Sequence, residues 1–242
     1  MGAIAALLVG IGIVVLIYGA FMKFKAGRIA KTPLLSTGEA LARGTQEGAV
    51  STQGRVECPQ PLLSPVTKTP CLYYELKVIG SWKDGDETKE KDYVDEKAAA
   101  PFALNDGSGA IPIDASKGGD FEMQETFDET KKEGFFADLK NAVGKGEPIM
   151  FGHYAFANPP MSKANKFRCI EKIVPVSERL FALGKLEHGV ITSPGFLSLM
   201  LSPKTRDELL GSSAKSAKLA FIGGAAAAGV GLVVGVVSAF VG

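Results

Sequence analysis

Two histidines and three cysteines are the residues of this chain best suited to nucleophilic or metal chemistry. A cysteine nucleophile requires a neighbouring base and a group that orients the base. Cys71 could pair with His153 or His188, but neither the spacing nor a nucleophile-elbow motif connects them. Cys71 lies in an apolar, strand-like run, which is typical of a small buried hydrophobic residue. We therefore predict that it has no catalytic role.

The other cysteines and the histidines occur in contexts that favour structural roles. His153 lies in the run MFGHYAF, which predicts a position in a core or at a barrel rim, and His188 lies in Glu-His-Gly, which is typical of a turn. Cys58, Cys71 and Cys169 form no CxxC pair. The sequence therefore predicts neither a disulfide framework nor a zinc site.

Acidic residues offer a second possible chemistry. Asp106 lies in Asn-Asp-Gly-Ser-Gly, where a carboxylate can bind a metal ion or, more typically, its own backbone. The Lys-Ser/Thr ending of a phosphate-binding loop is missing. Glu125, Asp128 and Glu129 could act as an acid–base group, but a solvated, mobile segment is the simpler interpretation. We predict no catalytic residue, no metal site and no cofactor.

Two uncharged runs, residues 1–22 and 219–242, lie at the two ends of the 242-residue chain. A helix needs about 20 apolar residues to cross a bilayer. A signal peptide would have basic residues before the first run, whereas here they follow it. A buried core helix is the alternative for the second run. We predict membrane-spanning helices at residues 1–24 and 217–242, with a soluble domain at residues 25–216.

Basic residues flank both apolar runs on the side of the central domain, and the outer ends have none. Positive charge near span ends favours the cytoplasmic side. The sequence therefore predicts a bacterial inner-membrane protein with a cytoplasmic central domain and both termini outside. The same residues are expected to contact anionic lipid headgroups, at about 1 kcal/mol each. They are Lys23, Lys25, Arg28, Lys31, Lys204, Arg206, Lys215 and Lys218. The net charge of +1 gives no reason to expect a nucleic-acid partner.

Short aromatic and β-branched runs, punctuated by Gly and Pro, make up most of the central domain. Residues 147–157 and 178–192 each predict one strand, and residues 135–144 predict a short helix at most. The fold class predicted is mainly β, a barrel- or sandwich-like domain with a few short helices, flanked by two transmembrane α-helices.

Local signals predict several turns and one helix cap. Ser36 or Thr37 is expected to cap a short helix that ends at Gly44. Asp-Gly at residues 106–107, between alternating apolar residues, predicts a hairpin. Residues 83–97 are mostly charged. We interpret them as a solvated hairpin tip, with a docking surface as the alternative.

Three segments occur in order between the apolar runs, LLSPVTKTPCLYYELKV, PFALNDGSGAIPIDA and ERLFALGKLEHG. Together they resemble the GIDE domain, also called the beside-a-membrane (BAM) domain. This domain is found in the membrane part of the mitochondrial ubiquitin ligase MULAN and in short bacterial and archaeal proteins. The resemblance covers about residues 32–215 and extends to both apolar runs. The family positions are Ser64, Pro65, Cys71, Tyr73, Tyr74, Pro101, Phe102, Asp106, Gly109, Leu183 and Gly184.

The resemblance implies a β-rich domain beside a membrane, which the eukaryotic ligase combines with a RING finger. A RING holds two tetrahedral zinc ions and so needs about eight Cys or His ligands. This chain has three cysteines and two histidines, so ligase activity does not carry over. The predicted function is a protein-interaction or membrane-organising scaffold with an unidentified protein partner. The alternatives are a ubiquitin-ligase-like factor whose catalytic half comes from another chain, and a small oligomeric pore.

Small residues form a strip along the second apolar run. In lipid, close backbone approach at such residues drives helix association. The strip therefore predicts a homo-oligomer, with packing against Gly12 and Gly19 of the first run as the alternative. Its residues are Gly224, Ala227, Ala228, Gly231 and Gly235.

Overall fold

The structure, a computed structural model, describes residues 2–44, 48–132, 148–157, 162–193 and 198–241. The contacts between residues divide the chain into two compact units. Met1–Leu34 with Lys204–Gly242 form one unit, which we call the helical hairpin, and Leu35–Pro203 form the other, which we call the β domain.

The described helices are α1 (Gly2–Lys31), α2 (Thr37–Arg43) and α3 (Arg206–Val241). The helical hairpin consists of α1 and α3, and both are long and apolar enough to cross a membrane. Each helix continues without a break from its apolar run into the neighbouring basic segment. The two predicted apolar helices at the chain ends are therefore confirmed.

The described strands all belong to the β domain. They are β1 (Ala49–Glu57), β2 (Leu62–Leu63), β3 (Pro70–Asp84), β4 (Glu87–Ala99), β5 (Phe102–Asn105), β6 (Ala110–Ile113), β7 (Gly119–Phe121), β8 (Gln124–Lys132), β9 (Ile149–Phe151), β10 (Tyr154–Phe156), β11 (Lys166–Pro175), β12 (Arg179–Glu187), β13 (Val190–Thr192) and β14 (Leu199–Ser202). This content confirms the mainly β fold class with few helices.

Five strands form a closed hydrogen-bonded path in the order β1-β5-β6-β13-β12, and β12 pairs again with β1. The closure depends on one parallel pair, Ile191 with Ile113. Strand β14 pairs with β12 on the same edge as β13, and β7 pairs in parallel with β14. The inward residues, such as Val50, Leu104 and Leu186, make the first core. Closure leaves these five strands with little free edge to expose to water.

A second sheet has the order β2-β3-β11-β8, with β4 also paired to β3. The small β9–β10 hairpin contributes Phe151 and Phe156 to the core of this sheet, where they join Val78 and Phe167. Strand β3 serves both cores. Leu72 and Tyr73 belong to the first, whereas Cys71 and Tyr74 belong to the second.

Two locally encoded predictions are confirmed. Ser36 caps α2, because its Oγ accepts the N–H of Glu39 at 3.2 Å while Glu39 accepts the N–H of Ser36 at 3.0 Å. This reciprocal capping box satisfies two donors that the helix itself cannot, and Gly44 ends the helix. The hairpin at residues 106–107 joins β5 to β6. Of residues 83–97, which we interpreted as a solvated hairpin tip, only 84–87 form the turn between β3 and β4, and the rest belong to β4.

Two single-strand predictions are wrong. Residues 147–157 form two strands, β9 and β10, around a turn where Gly152 has a φ of 53°. Residues 178–192 likewise form β12 and β13, because His188 has a φ of 51°. Positive φ interrupts extended backbone, so each run must reverse rather than continue. The helix predicted at residues 135–144 lies outside the described residues.

Candidate functional site

The turn after β5 binds the N-terminus of α2. Asp106 accepts hydrogen bonds from Thr37 Oγ1 at 2.6 Å and from Thr37 N–H at 3.0 Å. The N–H of Ser108 donates to Asp106 at 2.9 Å, and the N–H of Gly38 donates to Ser108 Oγ at 2.8 Å. The carboxylate therefore satisfies donors in its own turn and in the first turn of the helix, where no intrahelical acceptor is available.

These donors also set the charge of Asp106. Burial would raise the pKa of this carboxyl, but hydrogen bonds from Ser108 and Thr37 outweigh it and hold the pKa well below its usual range. Gly107 has a φ of 100°, a conformation that glycine adopts with little strain. The prediction that Asp106 bonds its own backbone is confirmed. Its bond to Thr37, which lies 69 residues away, was not anticipated.

A second carboxylate, Glu171, is fully buried and holds the turn between β2 and β3. Its Oε1 accepts hydrogen bonds from Ser64 Oγ at 3.0 Å, Thr67 Oγ1 at 2.6 Å and Thr126 Oγ1 at 2.7 Å. Its Oε2 accepts the N–H of Val66 at 2.6 Å. The family positions Ser-Pro at 64–65 thus form a turn that wraps a buried anion.

The donors around Glu171 compensate for the cost of burying its charge. Burial would raise the pKa of this carboxyl, but the hydrogen bonds from Thr67, Val66, Thr126 and Ser64 lower it below its usual value. Hydroxyl and amide groups therefore hold the anion in its charged form.

Our sequence prediction missed Glu171. The signal was the alternation Phe167, Cys169, Glu171, Ile173, which places all four side chains on the inward face of β11. An acid in such a series must find donors when the strand is buried. The sequence alone did not say which ones.

The buried cysteines are poor nucleophiles. Cys71 and Cys169 are fully buried in the second core. Burial, followed by the charge of Glu171, raises the pKa of Cys71 to about 11 and that of Cys169 to about 12. Both thiols stay protonated at neutral pH, and thiolate chemistry requires the opposite. The predicted role of Cys71 as a buried hydrophobic residue is confirmed.

The family pair Tyr73 and Tyr74 anchors the two cores through opposite faces of β3. Tyr73 packs in the first core and its hydroxyl donates to Glu75 at 3.1 Å. Tyr74 packs in the second core and donates to Glu96. Burial, and then these neighbouring acids, raises the pKa of both tyrosines. The adjacent aromatics are thus explained by packing and by partners for their hydroxyl groups.

The remaining family positions also serve the fold. Phe102 and Leu183 are buried in the β domain. The carbonyl oxygen of Pro101 accepts a weak hydrogen bond from Cys58 Sγ at 3.6 Å. A Cβ added at Gly184 would lie 2.6 Å from the carbonyl oxygen of Thr192, so no larger residue fits there.

His153 is not a core residue, so the structure excludes the first of the two positions, core or barrel rim, that its apolar run predicted. It lies exposed in the β9–β10 turn, and its N–H donates to the carbonyl oxygen of Val66 at 3.0 Å. The run reverses at Gly152 and so brings the histidine to the surface. His188 occupies the β12–β13 turn, as predicted.

The acidic residues of β8 are exposed, as the solvated interpretation predicts, and they lie in a strand whose register with β11 shifts once. Ion pairs join Glu125 to Lys172 at 3.9 Å, Asp128 to Arg168, and Glu129 to Lys131 at 3.6 Å. Within the described ranges, no three His, Cys, Asp or Glu side chains are grouped so as to hold a metal ion.

In the helical hairpin, the small residues of α3 meet those of α1. A Cβ added at Gly12 would lie 2.7 Å from the backbone nitrogen of Ala228 and 2.9 Å from the carbonyl oxygen of Gly224. Gly231 is buried and Ala227 is half-buried, while the surroundings of Gly235 lie outside the described residues. This contact is the alternative considered from the sequence, and a homo-oligomer stays a prediction.

The eight basic residues of the helical hairpin differ in exposure. Lys23, Lys31, Lys204, Lys215 and Lys218 are exposed, and Lys25, Arg28 and Arg206 are half-buried. Arg206 donates to the carbonyl oxygens of Ile29 at 3.2 Å and Ala30 at 3.0 Å. It therefore caps the C-terminal end of α1, where carbonyl groups lack intrahelical donors.

Strand β4 forms a long, exposed edge of the second sheet. Among the described strands β4 pairs with β3 alone, and nearly all its residues are exposed or half-exposed. The register places Lys89 and Lys91 opposite Trp82 and Gly80, and Glu90 opposite Ser81. Because side chains alternate along a strand, the lysines lie on the face of the second core. Glu90 and Asp92 lie on the outer face.

Comparisons with known proteins give one match. The sequence model of the GIDE family, whose description reads E3 ubiquitin ligase, matches residues 80–235. This range includes the family positions from Pro101 onward, whereas those from Ser64 to Tyr74 precede it. No curated protein and no solved structure matches the chain significantly.

Proposed function

The chain belongs to the GIDE family, and on this premise we propose that it is a two-span membrane protein whose β domain is a protein-interaction scaffold. The two long apolar helices support the membrane location. The family positions described above, from the Asp106 turn to the buried cysteines, are engaged in packing and internal hydrogen bonds. This leaves the surface of the β domain as the part that meets other molecules.

The observation that carries the proposal is the edge of β4 that faces away from β3, along which no other described strand pairs. An exposed strand edge offers a row of backbone donors and acceptors to an extended segment of a partner. The tip of the β3–β4 arm also extends past β11, which starts at Lys166 opposite Ser81. This geometry favours addition of a strand from another protein.

Charge determines which strand fits this edge. Lys89 and Lys91 lie on one face, and Glu90 and Asp92 lie on the other. A second copy of the chain, paired about a two-fold axis through residues 89–91, would set like charges opposite each other. Within the arm Lys89 pairs with Asp84, and Asp92 pairs with Lys77 at 3.3 Å. The partner that fits therefore presents an acid toward Lys91 and a base toward Glu90.

Crosslinking tests this surface. A photoreactive residue at Glu90 of the full-length protein in native membranes is expected to capture a partner. Reversing the charges beside it, with Lys89→Glu, Lys91→Glu and Asp92→Lys, is expected to abolish capture by repulsion. The control exchanges Lys131→Glu with Glu129→Lys on the β8 edge. Capture that survives the reversal, or that falls equally in the control, would contradict the proposal.

We also propose that the β domain is cytoplasmic and both termini lie outside a bacterial inner membrane, because basic residues flank both helices on the domain side. A cysteine replacing Gly2 is expected to react with a membrane-impermeant reagent on intact cells. A cysteine replacing Gly85 is expected to react only after permeabilisation. The reverse labelling would refute this orientation.

A second candidate function is favoured by the family description, E3 ubiquitin ligase. The chain has five Cys and His residues in all, fewer than a RING requires, so another protein would supply the catalytic half. Identification of the protein captured at Glu90 separates the two ideas. A RING protein or a ubiquitin-conjugating enzyme supports the ligase role, and any other identity favours the scaffold role.

A further inference from the structure

Three lysines of the helical hairpin lie at one height along its axis. Contacts align the two antiparallel helices, since a Cβ at Gly19 would lie 3.1 Å from Ala220 Cβ and 3.5 Å from the carbonyl oxygen of Ala217. Lys23 lies four residues after Gly19 on α1. Lys215 lies two residues before Ala217 on α3, which is the same direction along the hairpin axis because the helices are antiparallel. At 1.5 Å per residue, Lys23, Lys215 and Lys218 fall within about one helical turn of each other.

This height coincides with the domain-side end of the apolar runs. Lys23 and Lys218 are the charged residues that directly border residues 1–22 and 219–242. Exposed aromatic side chains, Tyr18, Phe21 and Phe24, lie next to them on α1. Of these, Tyr18 is of the residue type that, with Trp, is enriched at the membrane–water interface.

The three lysines have no acidic neighbour at their level. α1 contains no Asp or Glu, and the acids of α3, Asp207 and Glu208, lie in its first turn. At the helical rise this is about 10 Å or more from Lys215 along the axis. All three lysine side chains are exposed.

Of the other basic residues, Lys25 and Arg28 lie within about 8 Å of Lys23 along α1 but are half-buried, whereas Lys31, Lys204 and Arg206 lie farther from the apolar runs. Lys31 is about 12 Å beyond Lys23 along α1, a distance greater than the Debye length of about 8 Å at physiological salt. Arg206 is occupied by the carbonyl oxygens of Ile29 and Ala30. Its role is therefore to cap α1.

From this division we infer that Lys23, Lys215 and Lys218 bind the phosphate of an anionic phospholipid headgroup. The distal residues Lys31, Lys204 and Arg206 do not bind it. The inference rests on the membrane location in the proposed function but not on the β4 partner. It assigns the lipid contact to three of the eight basic residues that the sequence singles out.

Native mass spectrometry of the full-length protein in detergent, titrated with phosphatidylglycerol, tests this site. The variant Lys215→Gln/Lys218→Gln is expected to bind the lipid about 30-fold more weakly, since each lysine near the surface contributes about fivefold. The matched control Lys31→Gln/Lys204→Gln removes the same charge and is expected to change binding by less than about threefold. Phosphatidylcholine, which has no net charge, serves as the reference lipid.

Two results would overturn the inference. Equal weakening by both variants would mean that net charge, not position, governs binding. Unchanged binding in Lys215→Gln/Lys218→Gln would mean that the lipid is held elsewhere. Loss of Glu90 crosslinking with normal lipid binding would instead concern only the protein partner, so the two proposals fail separately.

Discussion

Glu171 and Asp106 perform the same task in two different settings. Each carboxylate holds a distant segment through Ser or Thr hydroxyl groups and backbone N–H groups, and each has a lowered pKa. Glu171 is fully buried inside the second sheet, whereas Asp106 lies exposed at a hairpin turn. The donors are alike, so the difference in burial sets how much each anchor contributes to stability.

The depth of burial matters because water can replace lost partners only at the surface. If Asp106 is removed, water can enter the exposed position of its carboxylate and accept hydrogen bonds from Ser108 and from the buried Thr37 beside it. If Glu171 is removed, the N–H of Val66 remains in the core without its acceptor, and the half-buried hydroxyl of Thr126 keeps only a 3.4 Å contact with the carbonyl oxygen at position 171. An unsatisfied buried donor costs about 1–3 kcal/mol.

The largest effect is expected for Glu171→Ala. Several buried donors lose their acceptor at once, so the free energy of unfolding should fall by about 3–5 kcal/mol. Urea denaturation of the full-length protein in detergent measures this change. The control Glu125→Ala removes a half-exposed ion pair with Lys172 and should cost less than about 1 kcal/mol. Equal losses in both variants would mean that burial is not the deciding factor.

Lowering the pH should reveal how much the charged form of each carboxylate contributes to stability. Because their folded pKa values are lowered, both stabilise the fold fully above their ordinary pKa values of about 4.3 for Glu171 and 3.9 for Asp106. This stabilisation is lost as the pH falls toward the folded pKa. We expect the urea midpoint of the wild type to drop in this acid range and that of Glu171→Ala to drop less. Parallel curves for the two proteins would contradict the assignment.

A smaller, local effect is expected for Asp106→Ala. The first turn of α2 loses an acceptor but keeps its Ser36 cap, so the cost should be about 1–2 kcal/mol. Hydrogen exchange should quicken in Thr37–Arg43 and remain unchanged in β11. The control Asp86→Ala alters an exposed acid in another turn and should leave exchange in α2 unchanged. Faster exchange across the whole β domain would show that Asp106 has a wider role.

The smallest change in stability is expected at a buried hydroxyl group that makes no hydrogen bond with the described residues. Thr52 Oγ1 is buried and has no hydrogen-bond partner among the described residues. Thr52→Val should therefore raise the free energy of unfolding by about 1 kcal/mol. Thr126→Val is the matched comparison, and it should lower stability because its hydroxyl donates to Glu171. A stabilised Thr126→Val would argue against the donor network around Glu171.

The parts of the fold that the sequence predicted are those encoded locally. The Ser36 cap, the hairpin at residues 106–107 and the apolar helices each depend on residues that are neighbours in the chain. The partners of Glu171 lie 104–107 residues away in the turn after β2 and, at Thr126, 45 residues away on β8, so no local pattern could name them. Barrel closure through Ile113 and Ile191 is equally remote in sequence.

For the candidate site, too, most predictions from neighbouring residues were correct and those that depend on distant residues were not. Cys71 was interpreted correctly because apolar and aromatic strand residues follow it directly in the chain. The core position considered for His153 is excluded because a single residue, Gly152, reverses the chain inside an apolar run. A docking surface at residues 83–97 was considered only because these residues are charged. The exposed edge of β4 could not be predicted, since it depends on which strands pair elsewhere in the sheet.

The pairing of β1 with β12 has a consequence for synthesis of the protein in the cell. Ala49 pairs with Lys185, and β14 ends just before α3 begins. At about 5–20 residues per second, β1 waits on the order of ten seconds for its partner strand to be made. The first helix therefore leaves the ribosome long before the β domain can close, and the second follows the last strand at once. Membrane insertion of α3 and closure of the barrel then take place in the same brief interval.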